Sequence, residues 1–76
     1  MFDRKIFAER VKNLRLSKNL KQSELGDILN LSVQSVNDLE KGRKITTFDN
    51  LVILSDYFNV STDWILGRTD KPEVNK

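Results

Sequence analysis

The 76 residues carry 38% hydrophobic and 32% charged side chains at a net charge of +2; this is the balance of one globular domain, with no material for a second core. The absence of cysteine and histidine excludes disulfides and the usual zinc ligands, and removes the side chains most used in acid–base and nucleophilic catalysis. No apolar run nears the roughly 18 residues of a membrane span, and the opening MFDRKIFAER lacks a signal-peptide core, so the expectation is a cytoplasmic, membrane-free, non-enzymatic protein without metal, cofactor or small-molecule ligand.

Helical spacing dominates the chain. A first helix is expected over about residues 3–17, with Phe7, Val11 and Leu14 inward, Asn19 ending it and Leu20 turning back to the core. A second begins at Gln22 and buries Leu25, Ile28 and Leu29. Gly26 lies within it, although glycine costs a helix about 1 kcal/mol relative to alanine; another backbone passing too close for a side chain would explain it, and the next helix is the expected neighbour. Asn30 enters the left-handed region readily and closes a tight corner before Leu31 and the N-cap Ser32. The third helix, about residues 33–41, turns Val36 and Leu39 inward and leaves Val33, Gln34, Asn37, Asp38 and Lys41 outside. Gly42 ends it and residues 44–46 form a loop. Thr47 caps a fourth helix with Leu51, Leu54 and Phe58 inward, and a last short helix after Ser61 closes the core with Ile65 and Leu66 before Gly67. The fold class is therefore all-α: a compact five-helix bundle over residues 1–67 containing a helix-turn-helix, followed by a flexible polar tail, residues 68–76.

Charge is unevenly placed. Residues 1–44 hold ten Lys/Arg against six Asp/Glu, a balance of +4, and residues 45–76 hold three against five, a balance of −2. The half with the helix-turn-helix is thus the basic half, which would orient the domain on a phosphate surface before any base is read.

These features together resemble the helix-turn-helix of the phage repressor and Cro class, also called Xre-type regulators. The likeness runs over residues 7–67: Arg15, the Gln22/Glu24/Leu25 start, Ser32, Val36, the Leu39-Glu40-Lys41-Gly42 close, then Leu51, Leu54, Phe58 and the ending Val60-Ser61-Thr62-Asp63-Trp64-Ile65-Leu66-Gly67. It implies a repressor-like fold and a sequence-specific, DNA-binding transcriptional regulator, with double-stranded DNA as partner. Three departures stand out: Lys21 where the family often has a capping threonine, Val33 where some relatives have a polar residue, and Thr46 where proline is common.

The major groove admits an α-helix and shows each base pair a distinct pattern of donors and acceptors. Gln34 suits adenine, since its amide gives and accepts together; Val33 can rest on a thymine methyl; Asn37 reaches a base or a phosphate; Asp38 can accept from cytosine, against repulsion from nearby phosphates. Gln22, at the start of a helix where free N–H groups favour an anion, is expected to hold a phosphate, as the resemblance also implies. Lys21, Ser32, Ser35, Lys41, Arg43 and Lys44 are further phosphate candidates, contacts that fix register without reading sequence. The resemblance implies an Arg15–Glu40 ion pair bracing the recognition helix. A lone domain covers one short half-site, so a homodimer on a near-palindromic operator is expected, its helices about 34 Å apart. Ile53 and Tyr57 are the candidate dimer surface, with Leu16, Ile45 and Phe2 as other apolar residues outside the inward pattern. The competing reading is a protein-interaction or antitoxin-type module whose DNA binding is secondary.

Overall fold

The computed structural model describes residues 2–74. Among them are five α-helices and no strand: α1 (Arg4–Ser17), α2 (Gln22–Leu29), α3 (Val33–Glu40), α4 (Phe48–Phe58) and α5 (Thr62–Ile65). The chain forms the expected helix-turn-helix bundle.

Short polar side chains start four of these helices by accepting from the free N–H groups of the first turn. Asp3 takes Lys5 N–H at 2.8 Å, Ser32 takes Ser35 N–H at 3.1 Å, Thr47 takes Asn50 N–H at 3.2 Å, and Ser61 takes Trp64 N–H at 2.9 Å. Such a cap is typically worth about 1 kcal/mol. At α2 the preceding residue is Lys21, whose ammonium has nothing to accept with; there the Glu24 carboxylate reaches back to the Lys21 N–H at 2.8 Å. Asparagine handles the opposite ends. Asn19, Asn30 and Asn59 follow α1, α2 and α4 with φ of 55°, 56° and 55°, the left-handed region asparagine tolerates better than other side chains. Asn19 and Asn59 repeat the left-handed turn that was expected at Asn30.

The core draws on every helix: Phe7, Val11 and Leu14 from α1, Leu25 and Leu29 from α2, Val36 and Leu39 from α3, Leu51 and Leu54 from α4, and Ile65 from α5. Ile28, Leu31, Phe58 and Leu66 pack at its edge. Ala8, which the periodic reading passed over, is buried as well. In the turn between α2 and α3, Leu31 N–H donates to the Gly26 carbonyl at 2.7 Å. A Cβ on Gly26 would stand 2.5 Å from the Leu31 carbonyl oxygen but 3.6 Å from Val36 Cγ2. The crowding backbone is therefore that of the turn; the neighbouring helix, expected to be responsible, makes only ordinary contact.

The segment after Gly67 makes contacts with the bundle. Arg68 N–H donates to the Asp63 carbonyl at 2.8 Å, and Ser61 N–H donates to the Pro72 carbonyl at 2.8 Å. From α1, the Arg10 guanidinium donates through Nη1 to the carbonyls of Trp64 and of Thr69, the latter at 2.7 Å, and lies 4.8 Å from the Trp64 ring centroid. One arginine with several donors, stacked on an aromatic face, brings these residues against the bundle. Asn75 and Lys76 lie outside the described residues.

Candidate nucleic-acid interface

Leucine and valine decide which way α3 faces. Val36 and Leu39 sink into the core at 0% and 2% exposure, so the opposite side turns outward. There Val33 is 49% exposed, Gln34 and Lys41 are exposed, and Ser35 and Asn37 are half-buried. Ser32 is exposed just ahead of the helix. No segment among the described residues covers Val33 or Gln34.

A polar seam fixes the orientation of this helix. Arg15 on α1 holds the Glu40 carboxylate with both arms, Nε to Oε2 at 2.6 Å and Nη2 to Oε1 at 3.0 Å, while Nη1 donates to the Leu20 carbonyl at 2.8 Å. The two side chains are only 12% and 3% exposed. The hydrogen bond to Glu40 pushes the Arg15 guanidinium above its ordinary pKa; burial opposes this and the carboxylate charge adds to it. Gln22 joins the seam from α2, its Nε2 lying 3.3 Å from Asn37 Oδ1 and 3.3 Å from Glu40 Oε1. Two helices, α1 and α2, thus converge on α3 through directional bonds. Rigid-body freedom of the helix is small in consequence.

Asp38 does not take its expected place on the outer side of α3. It is 8% exposed and accepts from Gln34 Nε2 at 3.1 Å. Arg43 Nη1 and Lys44 Nζ each stand 3.7 Å from its carboxylate oxygens. The reason is local geometry: Gly42, at φ 75°, bends the chain back so that Arg43 N–H meets the Asp38 carbonyl at 2.9 Å, and the two cations close over the carboxylate. Their own side chains stay more than 60% exposed. Lys21 and Lys41 are also exposed, so four cations lie at the start of α2 and the end of α3.

Ile53 and Tyr57 are exposed on α4 as expected, and the start of the helix exposes more apolar surface still. Phe48 is 87% exposed and Val52, one turn on, 52%, with Ile45 beside them at 53%. Below Phe48 opens an apolar hollow of 210 Å³ bounded by Phe2, Phe7, Ile45, Leu51 and Leu66. Ile53 and Tyr57 expose less, at 38% and 42%, and Lys18 Nζ lies 4.6 Å from the Tyr57 ring centroid. The four-residue step from Phe48 to Val52, directly after the capping Thr47 and off the Leu51/Leu54 stripe, was the available signal. Leu16 is exposed by itself on α1.

Residues 11–65 match the model of the helix-turn-helix family HTH_3. The chain is 32% identical over 68 residues to YobD of Bacillus subtilis, an uncharacterized HTH-type transcriptional regulator, covering 90% of this chain and 61% of that protein. It is 33% identical over 60 residues to RstR of Vibrio cholerae, the transcriptional repressor of a cryptic phage CTXphi, covering 79% and 54%. The chain therefore spans between about half and three fifths of the length of the curated relatives it matches. Its fold is that of the P22 c2 repressor, solved in complex with synthetic operator 9T, with a TM-score of 0.74 at 24% identity over 80% of this chain and 92% of that one. A family match running through most of the chain, joined to this fold, makes it a member of the HTH_3 (Xre-type) helix-turn-helix family.

Proposed function

We propose that this chain is the DNA-binding unit of a cytoplasmic transcriptional repressor, which occludes a near-palindromic operator by laying α3 in the major groove. One observation carries the reading: the side of α3 opposite Val36 and Leu39 is open at Val33 and Gln34 and is flanked by exposed Lys41, Arg43 and Lys44. Membership of a regulator family and the phage repressors among its relatives support it.

In this reading Gln34 takes an adenine edge, Val33 packs on a thymine methyl, and Asn37 reaches a base or phosphate one turn on. Lys21, Gln22, Ser32, Ser35, Lys41, Arg43 and Lys44 bind the backbone and set register. For Gln22 this means exchanging its bonds to Asn37 and Glu40 for a phosphate oxygen at the start of α2. A second copy of the chain supplies the other half-site, since one domain of this size covers about 600–1,000 Å² of its own surface on DNA. The reading assigns the chain no catalytic step, metal or cofactor.

Selection of bound duplexes from a random library at two salt concentrations tests the proposal. A symmetric enriched motif with steep salt dependence is expected. Gln34→Ala relaxes one base position of the half-site, whereas Lys44→Ala weakens all duplexes alike and lowers the salt slope by about 1. The exposed Phe48/Val52 surface gives the protein-interaction reading its own footing; weak, unselective binding that ignores salt would favour that reading over repression.

A further inference from the structure

Three groups placed toward DNA by the reading above converge on one carboxylate that does not itself face outward. Asp38 accepts from Gln34 Nε2 at 3.1 Å, and Arg43 and Lys44 each approach it to 3.7 Å. At 8% exposure it is screened from the groove by the residues it holds. An amide has two N–H groups and one carbonyl. When one N–H is tied to Asp38, the amide is held one way round, with its carbonyl and its second N–H left for a base. An unanchored amide turns over freely and offers donor and acceptor in either order, which weakens its distinction between adenine, with N6–H and N7, and guanine, with O6 and N7.

The same carboxylate sits where two mobile cations would otherwise be free for phosphate. It competes for Arg43 and Lys44 on any duplex, whatever its sequence. This lowers phosphate binding on every duplex alike, and so sets the strength of non-specific binding, while discrimination between bases rests on the held amide. We propose that Asp38 is a specificity-determining positioning residue that touches no base, fixing the sense of the Gln34 amide and restraining Arg43 and Lys44 from indiscriminate phosphate binding. The inference rests on the reading of α3 as the DNA-facing helix.

The test compares the unaltered chain with Asp38→Leu, Asp38→Asn and Gln34→Ala by duplex selection and by affinity for a random-sequence duplex across salt. Asp38→Leu is expected to cut discrimination at the base position assigned to Gln34 at least about fivefold, the smaller end of what one paired amide contributes. Both Asp38 variants are expected to bind random duplex more tightly at low salt. Their affinity should also fall about 3.5-fold further than that of the unaltered chain between 50 and 200 mM salt, the equivalent of one added phosphate contact. Thermal unfolding identifies a variant that does not fold; Asp38→Asn keeps the side-chain shape and carries the salt comparison if Asp38→Leu fails. Unchanged salt slopes in the folded variants overturn the inference, as does an unchanged motif in folded Asp38→Leu where Gln34→Ala alters it. A motif untouched by Gln34→Ala overturns instead the placement of the reading face.

Discussion

Arg15 and Glu40, 25 residues apart, form a two-armed ion pair across α1 and α3, with Nε to Oε2 at 2.6 Å and Nη2 to Oε1 at 3.0 Å. Its placement matters because Glu40 is the last residue of α3 and Arg15 also grips the Leu20 carbonyl leading into α2. One guanidinium therefore ties together both helices of the motif and the scaffold behind them. Removing one member leaves the other charge nearly buried, which typically costs about 3–5 kcal/mol. Glu40→Ala should lower the melting temperature by more than about 10 °C, at about 4–8 °C per kcal/mol for a domain of this size. An unshifted melting curve would contradict the brace.

Gly26→Ala improves intrinsic helix propensity by about 1 kcal/mol, yet its methyl would meet the Leu31 carbonyl oxygen at 2.5 Å. Forced overpacking generally costs about 1–3 kcal/mol, and the obstacle here is hydrogen-bonded backbone that yields poorly. Denaturant unfolding should show a net loss of stability of about 1 kcal/mol, with a rearranged turn. A stabilised variant would mean that the turn relaxes without cost.

Arg10→Ala removes two hydrogen bonds to carbonyls and the stacking on Trp64. Hydrogen bonds from a charged donor are worth about 1.5–3 kcal/mol each where they persist in the folded state. Residues 68–72 should detach, with faster tryptic cleavage after Arg68 and faster exchange of the Ser61 amide, while the core amides keep their protection. Equal cleavage rates in the two proteins would show that the segment holds its place by other contacts.

Phe48→Lys replaces a side chain that is 87% exposed and bears on no folded contact of consequence. Surface substitutions of this kind change folding stability by about ±0.5 kcal/mol or less. If two copies pair through the Phe48/Val52 surface, sedimentation should show the variant shifted toward monomer, with weaker binding to a two-half-site operator and unchanged melting of the monomer. A dimer population equal to that of the unaltered chain would move the interface elsewhere on the domain.

The helices, their caps and most of the core were legible in the residues because these depend on neighbours three or four positions apart. Periodic leucine and valine, serine or threonine ahead of α3, α4 and α5, and asparagine or glycine behind the helices act through local geometry that a linear reading captures. The outward face of α3 followed from the same logic, as the complement of Val36 and Leu39. Asp38 did not, since its burial comes from a chain reversal at Gly42 that brings two cations over it.

What the amino-acid order alone determined is thus the all-α architecture and the helix that faces outward, both consequences of short-range periodicity and burial. Only the tertiary arrangement decided that Gln22, Asn37 and Glu40 share one seam, that Asp38 turns inward, that Arg10 holds residues 68–72, and that the exposed apolar surface of α4 centres on Phe48. Each of these is a meeting of side chains or backbone whose distance in space is set by how the helices pack and the chain reverses, a quantity that spacing along a single helix does not encode.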